Sequence, residues 1–89
     1  MEINKLVEIC KQKKYPEEFS HDLVCMYPFM VKKYGYDAID QLLTEWTYVI
    51  VNNVGASGYC DRNKKEIGFN LYNWGYNPIH LYRIITGTL

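Results

Sequence analysis

The stretch Thr47-Tyr48-Val49-Ile50-Val51 decides the fold class of this chain of 89 residues. Its β-branched and aromatic residues favour a strand, and Asn52-Asn53, which follow it, are typical of a turn. The residues before it repeat their apolar positions with helical spacing, whereas the residues after it show the signals of a hairpin. This order predicts a single α+β domain over residues 1–89, with three N-terminal helices, a small antiparallel hairpin or sheet and a C-terminal helix.

The first two helices are predicted from amphipathic spacing. The first spans residues 3–14, and its apolar positions recur at i, i+3, i+4 and i+7 in Ile3, Leu6, Val7 and Cys10. The second begins near Pro16, and we expect Pro28 to kink or split it because proline lacks a backbone donor. Its apolar positions are Phe19, Leu23, Met26, Phe29 and Met30.

The third helix is predicted over residues 38–47, with Asp37 as its N-cap and Asp40 in a capping-box position. Beyond the strand, the polar tip 61–64 suits a hairpin and gives two or three antiparallel strands. Asn77-Pro78 then begins a final helix as N-cap and first helical residue. The side chains of that helix expected to face the core are Ile79, Leu81, Tyr82 and Ile85.

The charge balance argues against a nucleic-acid partner. Ten basic and ten acidic residues give a formal net charge of zero, so no overall field attracts a polyanion. Three helices before a hairpin are also the order of a winged helix-turn-helix module, in which the third helix reads the major groove. The third helix here carries only acidic charges, at Asp37, Asp40 and Glu45. The hairpin tip, by contrast, is basic, with Arg62, Lys64 and Lys65.

Compartment signals point to the cytoplasm. No apolar run is long enough to span a membrane, and the first residues lack the pattern of a signal peptide, so we expect neither secretion nor membrane insertion. Cys10, Cys25 and Cys60 are odd in number and widely spaced, which indicates free thiols. Cys10 and Cys25 lie on apolar helix faces, where a cysteine is usually a small core residue.

Catalytic motifs do not appear in the sequence. His21 stands beside Asp22 and His80 opens the last helix, and both are interpreted as ordinary surface residues. A Ser-His-Asp arrangement, a phosphate-binding glycine loop and a zinc-binding H-E-x-x-H motif are all missing. We therefore expect no catalytic residue, no metal and no cofactor, and we disfavour an enzyme.

Aromatic residues supply the densest functional signal. Tyr72, Trp74 and Tyr76 lie in the Asn- and Gly-rich segment 70–77, which is predicted to be a loop. Tyrosine and tryptophan give a large, rigid contact area at small entropic cost, as in protein-binding surfaces. The three side chains are therefore candidate partner contacts, with a polar rim from the acidic third helix at Asp37, Asp40 and Glu45. Exposed aromatic residues on a domain this small also suit a homodimer.

The C-terminal part of the chain resembles the SprT-like (Spartan-type) zinc metalloprotease domain. The resemblance lies in Ala56-Ser57-Gly58-Tyr59-Cys60-Asp61, in Lys65-Glu66-Ile67-Gly68-Phe69-Asn70 and in residues 79–89. The family is an α+β zincin that acts on DNA-associated proteins, and the resemblance implies that fold. This sequence lacks the H-E-x-x-H motif, so the resemblance implies a truncated or degenerate member without protease activity.

Together these signals predict a small intracellular protein-binding domain. Lysine outnumbers arginine eight to two and tyrosine is abundant, which is typical of low-GC coding sequences. The concrete hypothesis is a phage or mobile-element protein that inhibits a host protein or nucleoprotein. The alternatives are an inactive SprT-like fragment and a winged-helix DNA-binding protein.

Overall fold

The computed structural model describes residues 1–51 and 58–89. The predicted Asn52-Asn53 turn and the Ala56-Ser57 part of the family resemblance lie outside these residues. The described chain is an α+β fold, as predicted, in which three N-terminal helices precede a small sheet and two further helices. Its elements are α1 (Ile3–Gln12), α2 (Glu17–Tyr34), α3 (Tyr36–Glu45), β1 (Thr47–Val51), β2 (Gly58–Asp61), β3 (Glu66–Asn70), α4 (Leu71–Trp74) and α5 (Pro78–Thr86).

The helix α2 runs through Pro28 without dividing, so of the two expected outcomes the split into two helices is wrong, and the kink stays a prediction. Pro28 is exposed, whereas Phe19, Leu23 and Met30 are buried on the opposite side of the helix. A proline inside a helix costs about 3 kcal/mol. Burial of several large apolar side chains on one face offsets that cost and keeps the helix continuous.

The junction between α2 and α3 is a single glycine. Gly35 has φ 88°, ends α2 and immediately precedes α3, which is a backbone conformation that glycine adopts without steric cost. As a result α3 begins at Tyr36, and the prediction of Asp37 as N-cap is wrong because Asp37 already lies in the first turn. Asp40 is likewise not part of a capping box, since no side chain caps α3.

The sheet is mixed rather than wholly antiparallel. The β2–β3 hairpin is antiparallel as predicted, but β1 pairs with β3 in parallel, and the strand order is β1-β3-β2. The strand β3 is almost entirely buried, whereas β2 is largely exposed. The central strand β3 is thus the most buried of the three, although the edge strand β1 has the more apolar sequence.

A single cluster of buried side chains joins the helices to the inner face of the sheet. Phe19 of α2 is central to it, with its ring 5.8 Å from Phe69 of β3 and 5.7 Å from Trp74 of α4. Not every apolar helix position is buried: Cys25 is exposed, Phe29 is 61% exposed and Ile79 is 58% exposed. The start of α5 is as predicted, since the Asn77 side chain accepts a hydrogen bond from the Ile79 amide.

Candidate functional site

The segment predicted as an aromatic loop contains a helical turn, α4, built by local capping. The Asn70 side chain accepts a hydrogen bond from the Tyr72 amide at 3.0 Å, and the Asn73 side chain accepts one from the Asn70 amide at 3.2 Å. These reciprocal bonds form a capping box that starts the turn directly after β3. Gly75 ends it in the left-handed conformation, with φ 58°.

Trp74 anchors this turn in the core and is not available as a partner contact, contrary to the sequence-based prediction. Its side chain is 0% exposed and packs edge-on against Phe19. Its indole nitrogen donates a hydrogen bond of 2.9 Å to the buried carboxylate of Asp22. Leu71 and Trp74 are three positions apart, with polar Asn73 between them, and residues at this spacing share one face of a helix. This spacing is the sequence signal for a short helix with Trp74 facing inward.

Tyr72 and Tyr76 are the predicted contacts that the structure places on the surface. Tyr72 is 86% exposed, and Tyr76 is 59% exposed. Tyr76 has φ 57°, a left-handed conformation that is rare for a bulky residue, and its ring centroid lies 4.8 Å from that of Trp74. We call these two side chains with the intervening turn the tyrosine corner.

A shallow acidic cavity adjoins the tyrosine corner. It has a volume of about 470 Å³ and is lined by Tyr76 and by residues from the start of α2, namely Glu17, Glu18, His21 and Asp22. His21 Nδ1 lies 3.5 Å from Asp22 Oδ1, while the other oxygen of that carboxylate binds Trp74. Asp22 is therefore held by neighbours in the fold, whereas Glu17 and Glu18 are exposed.

The acidic residues of α3 are predicted to form a polar rim beside the tyrosines. The helix α3 packs against α2, and α4 packs against β3 and α5 and reaches α2 through Trp74. Asp37 is exposed, and Glu45 accepts a hydrogen bond from Lys65 Nζ at 3.1 Å, which lowers the pKa of Glu45. The charge of Glu45 is thus partly neutralised within the chain.

Asp40 takes part in a polar cluster within the chain, and its side chain is 29% exposed. Its two carboxylate oxygens accept hydrogen bonds of 2.6 Å from the Met1 ammonium group and from the Tyr27 hydroxyl. The Met1 ammonium also donates to the Tyr27 hydroxyl oxygen. Burial, together with the hydrogen bond to Asp40, raises the pKa of Tyr27. This cluster joins the N-terminus, α2 and α3.

An apolar groove between α2 and α5 was not anticipated from the sequence. This α2–α5 groove has a volume of about 700 Å³ and is lined by Met26, Phe29, Lys32, Lys33, Ile79 and Tyr82. Phe29 is 61% exposed and Ile79 is 58% exposed, although helical spacing predicted both to face inward. Periodicity identifies the apolar positions of each helix, but it does not show which of them find a neighbour.

The basic hairpin tip is small and partly paired. Asp61 Oδ1 accepts hydrogen bonds from the Asn63 and Lys64 amides, which shapes the turn. Arg62 and Lys64 are exposed, whereas Lys65 contacts Glu45. Glu45 of α3 therefore lies beside the basic tip and reduces the positive potential there.

The remaining polar groups form no recognisable reactive centre in the part of the chain that the structure describes. Cys10 is buried, and its burial raises the pKa of the thiol, which disfavours the reactive thiolate. Cys25 and Cys60 are exposed and free. Across residues 1–51 and 58–89, no three side chains of His, Cys, Asp or Glu are grouped so as to hold a metal ion. No helix within those same ranges is long and apolar enough to cross a membrane.

Comparison with known proteins returns no match to a family model, to a curated protein or to a solved structure. The resemblance to the SprT-like family therefore stays a prediction based on short motifs. Of those motifs, the structure places Gly58–Asp61 in β2 and Glu66–Asn70 in β3, which are paired strands of one hairpin.

Proposed function

We propose that this chain is a protein-binding domain that acts through the tyrosine corner and not through catalysis. The observation that carries the proposal is the 86% exposure of Tyr72 on a turn whose other aromatic residue, Trp74, is fully buried. A large aromatic side chain left in solvent gains from burial against a partner. Trp74 therefore anchors the turn in the core, whereas Tyr72 is the side chain that a partner can contact.

Preorganisation supports the same function. The turn is held by its capping box and by the hydrogen bond from Trp74 to Asp22, so its backbone is already ordered before a partner arrives. A rigid tyrosine loses little conformational entropy on binding, because it has only two side-chain torsions. The left-handed backbone of Tyr76 carries a conformational cost that glycine would avoid. The Tyr76 ring contacts Trp74 and is 59% exposed, so part of it stays accessible to a partner.

The proposed partner is a protein in a reducing compartment. Cys25 and Cys60 are exposed free thiols, which persist where cellular thiols are kept reduced. We further propose that the chain comes from a phage or mobile element and inhibits a host protein. The small size, the zero net charge and the excess of lysine over arginine support this proposal.

The test is a pull-down from the lysate of a low-GC bacterium, with a matched tyrosine control. The tagged wild type is compared with Tyr72→Ala and with Tyr36→Ala, which removes a tyrosine that is 60% exposed on α3. We expect a captured protein to be lost with Tyr72→Ala and retained with Tyr36→Ala. With the purified partner, Tyr72→Ala should cost about 2 kcal/mol of binding free energy. Equal capture by both variants would contradict the proposal, as would the absence of any captured protein.

A further inference from the structure

The exposed side of α2 carries charges of opposite sign at its two ends. Glu17 and Glu18 lie in the first turn, and Lys32 and Lys33 lie in the last. Within the described part of the chain, no salt bridge involves any of these four side chains. The nearest aromatic contact of Lys33 is the neighbouring Tyr34 ring, at 5.4 Å. The helix therefore presents two unpaired, opposite charge clusters on its surface.

Between the two charged ends of α2, the exposed side chains on this side of the helix are weakly polar or apolar. Glu18, His21, Cys25, Pro28 and Lys32 are all exposed and follow one another at steps of three and four residues. This is the spacing of a seam along which two helices can pack. Phe29 lies beside the seam, is 61% exposed and borders the α2–α5 groove.

The order of these residues is self-complementary about Cys25. Glu18 and Lys32 are each seven positions from Cys25, and Glu17 and Lys33 are each eight positions from it. Two parallel copies of α2 would bring like charges together. Two antiparallel copies in register at Cys25 bring Glu18 of each copy opposite Lys32 of the other. Opposite charges across an interface select the orientation of the partner.

We propose that the occupant of this face is a second copy of the same chain, with the two α2 helices antiparallel and the twofold axis beside Cys25. In this arrangement Phe29 of each copy is covered by the stretch from His21 to Cys25 of the other. The two Cys25 side chains lie close together, since packed helix axes are about 8–10 Å apart. The interface does not include Tyr72, although Glu17, Glu18 and His21 of this face also line the cavity that adjoins Tyr76.

The oligomeric state provides the first test. Sedimentation velocity is measured over a wide range of protein concentrations with a reducing agent present, so that no disulfide forms. We expect a reversible dimer, and Phe29→Glu should raise its dissociation constant by about tenfold or more. Because Phe29 is exposed, this substitution leaves the core intact, and circular dichroism checks that it does. A chain that sediments as a monomer at every concentration would overturn the proposal.

A charge exchange tests the orientation. Glu18→Lys alone should weaken the dimer, and adding Lys32→Glu should restore it, because the exchange re-forms both pairs with reversed sign. Crosslinking tests the register with the natural sequence of α2, and substitution of Cys25 is its control. In a Cys60→Ser background a short bis-maleimide should join two chains through Cys25, and Cys25→Ser should abolish the product. A dimer that is not restored by the exchange, or that yields no Cys25 crosslink, would overturn the antiparallel arrangement.

Discussion

The indole nitrogen of Trp74 donates a 2.9 Å hydrogen bond to the carboxylate of Asp22, which lies 52 residues earlier in the chain. Both side chains are buried, so the bond ties α4 to α2 inside the core. It also explains why a tryptophan, with its ring donor, stands at a position that an apolar residue could fill. Loss of the donor would leave a buried carboxylate oxygen with one partner fewer.

Trp74→Phe should therefore lower the free energy of unfolding by about 2 kcal/mol. The smaller ring also leaves part of the site empty, so the loss combines the missing hydrogen bond with lost packing. Urea denaturation followed by circular dichroism measures the change. Tyr72→Phe is the control, because that ring is 86% exposed, and its stability should stay within about 0.5 kcal/mol of wild type. A Trp74→Phe chain as stable as this control would contradict the prediction.

Asp40 should make folding stability sensitive to acid. Burial raises the pKa of Asp40, but hydrogen bonds from the Met1 ammonium and from Tyr27 outweigh it and hold the pKa below its ordinary value of 3.8. Because the folded state binds the proton less readily than the unfolded state, the stabilisation is fully present above that value. It is lost as pH falls through the folded pKa.

The measurement is the free energy of unfolding of Asp40→Asn between neutral and acid pH. We expect this variant to be less stable than wild type at pH 7 and to lose less stability than wild type below pH 3.8. Asp37→Asn alters an exposed carboxylate on the same helix and should keep the acid dependence of wild type. Identical acid profiles for Asp40→Asn and wild type would refute the role of the cluster.

Lys13 should stabilise the end of α3. Its ammonium donates hydrogen bonds to the carbonyl oxygens of Leu43, Thr44 and Trp46 at 2.9, 3.0 and 2.5 Å. A cation there satisfies acceptors that the helix leaves unpaired and interacts favourably with the helix dipole.

We expect Lys13→Met to lower stability by about 1–3 kcal/mol, since charged hydrogen bonds are lost. Thermal unfolding compares it with Lys11→Met, which removes an exposed lysine of α1 and should change little. If both substitutions had the same effect, the carbonyl contacts of Lys13 would not be the cause.

Gly68 should tolerate alanine only when Tyr59 is absent. A Cβ at Gly68 would lie 2.1 Å from the Tyr59 ring, so the ring would have to leave the strand β3 and give up its hydrogen bond of 2.8 Å to Glu66. Gly68→Ala should therefore destabilise wild type by about 1–2 kcal/mol. In a Tyr59→Ala background the same change should be neutral or stabilising, because alanine is less flexible than glycine in a strand. A double-mutant cycle measures the coupling, and additive effects would disprove it.

Local signals were sufficient for much of the secondary structure. The strand at Thr47–Val51 and the start of α5 at Asn77-Pro78 agree with the predictions residue for residue. Both depend on intrinsic preferences and capping chemistry that act within a few positions. The α+β class followed from the order of these elements.

The contact surfaces could be predicted only in part. Tyr72 and Tyr76 are exposed as expected, but Trp74 is buried, and the exposed apolar side chains Phe29 and Ile79 were assigned to the core. Helical spacing distinguishes one side of a helix from the other. It does not state how much of an apolar side another element covers, which depends on the angle and distance of packing.

The sequence by itself determined the order of the longer helices and of the strands, because those choices depend on neighbours in the chain, whereas the short helix α4 was predicted as a loop. Tertiary structure alone decided that β1 lies parallel to β3, that Trp74 reaches Asp22 and that Asp40 pairs with the Met1 ammonium. Each of these contacts joins residues at least 19 positions apart. Their energies arise from burial and from satisfying polar groups in the assembled core, and no local pattern encodes them.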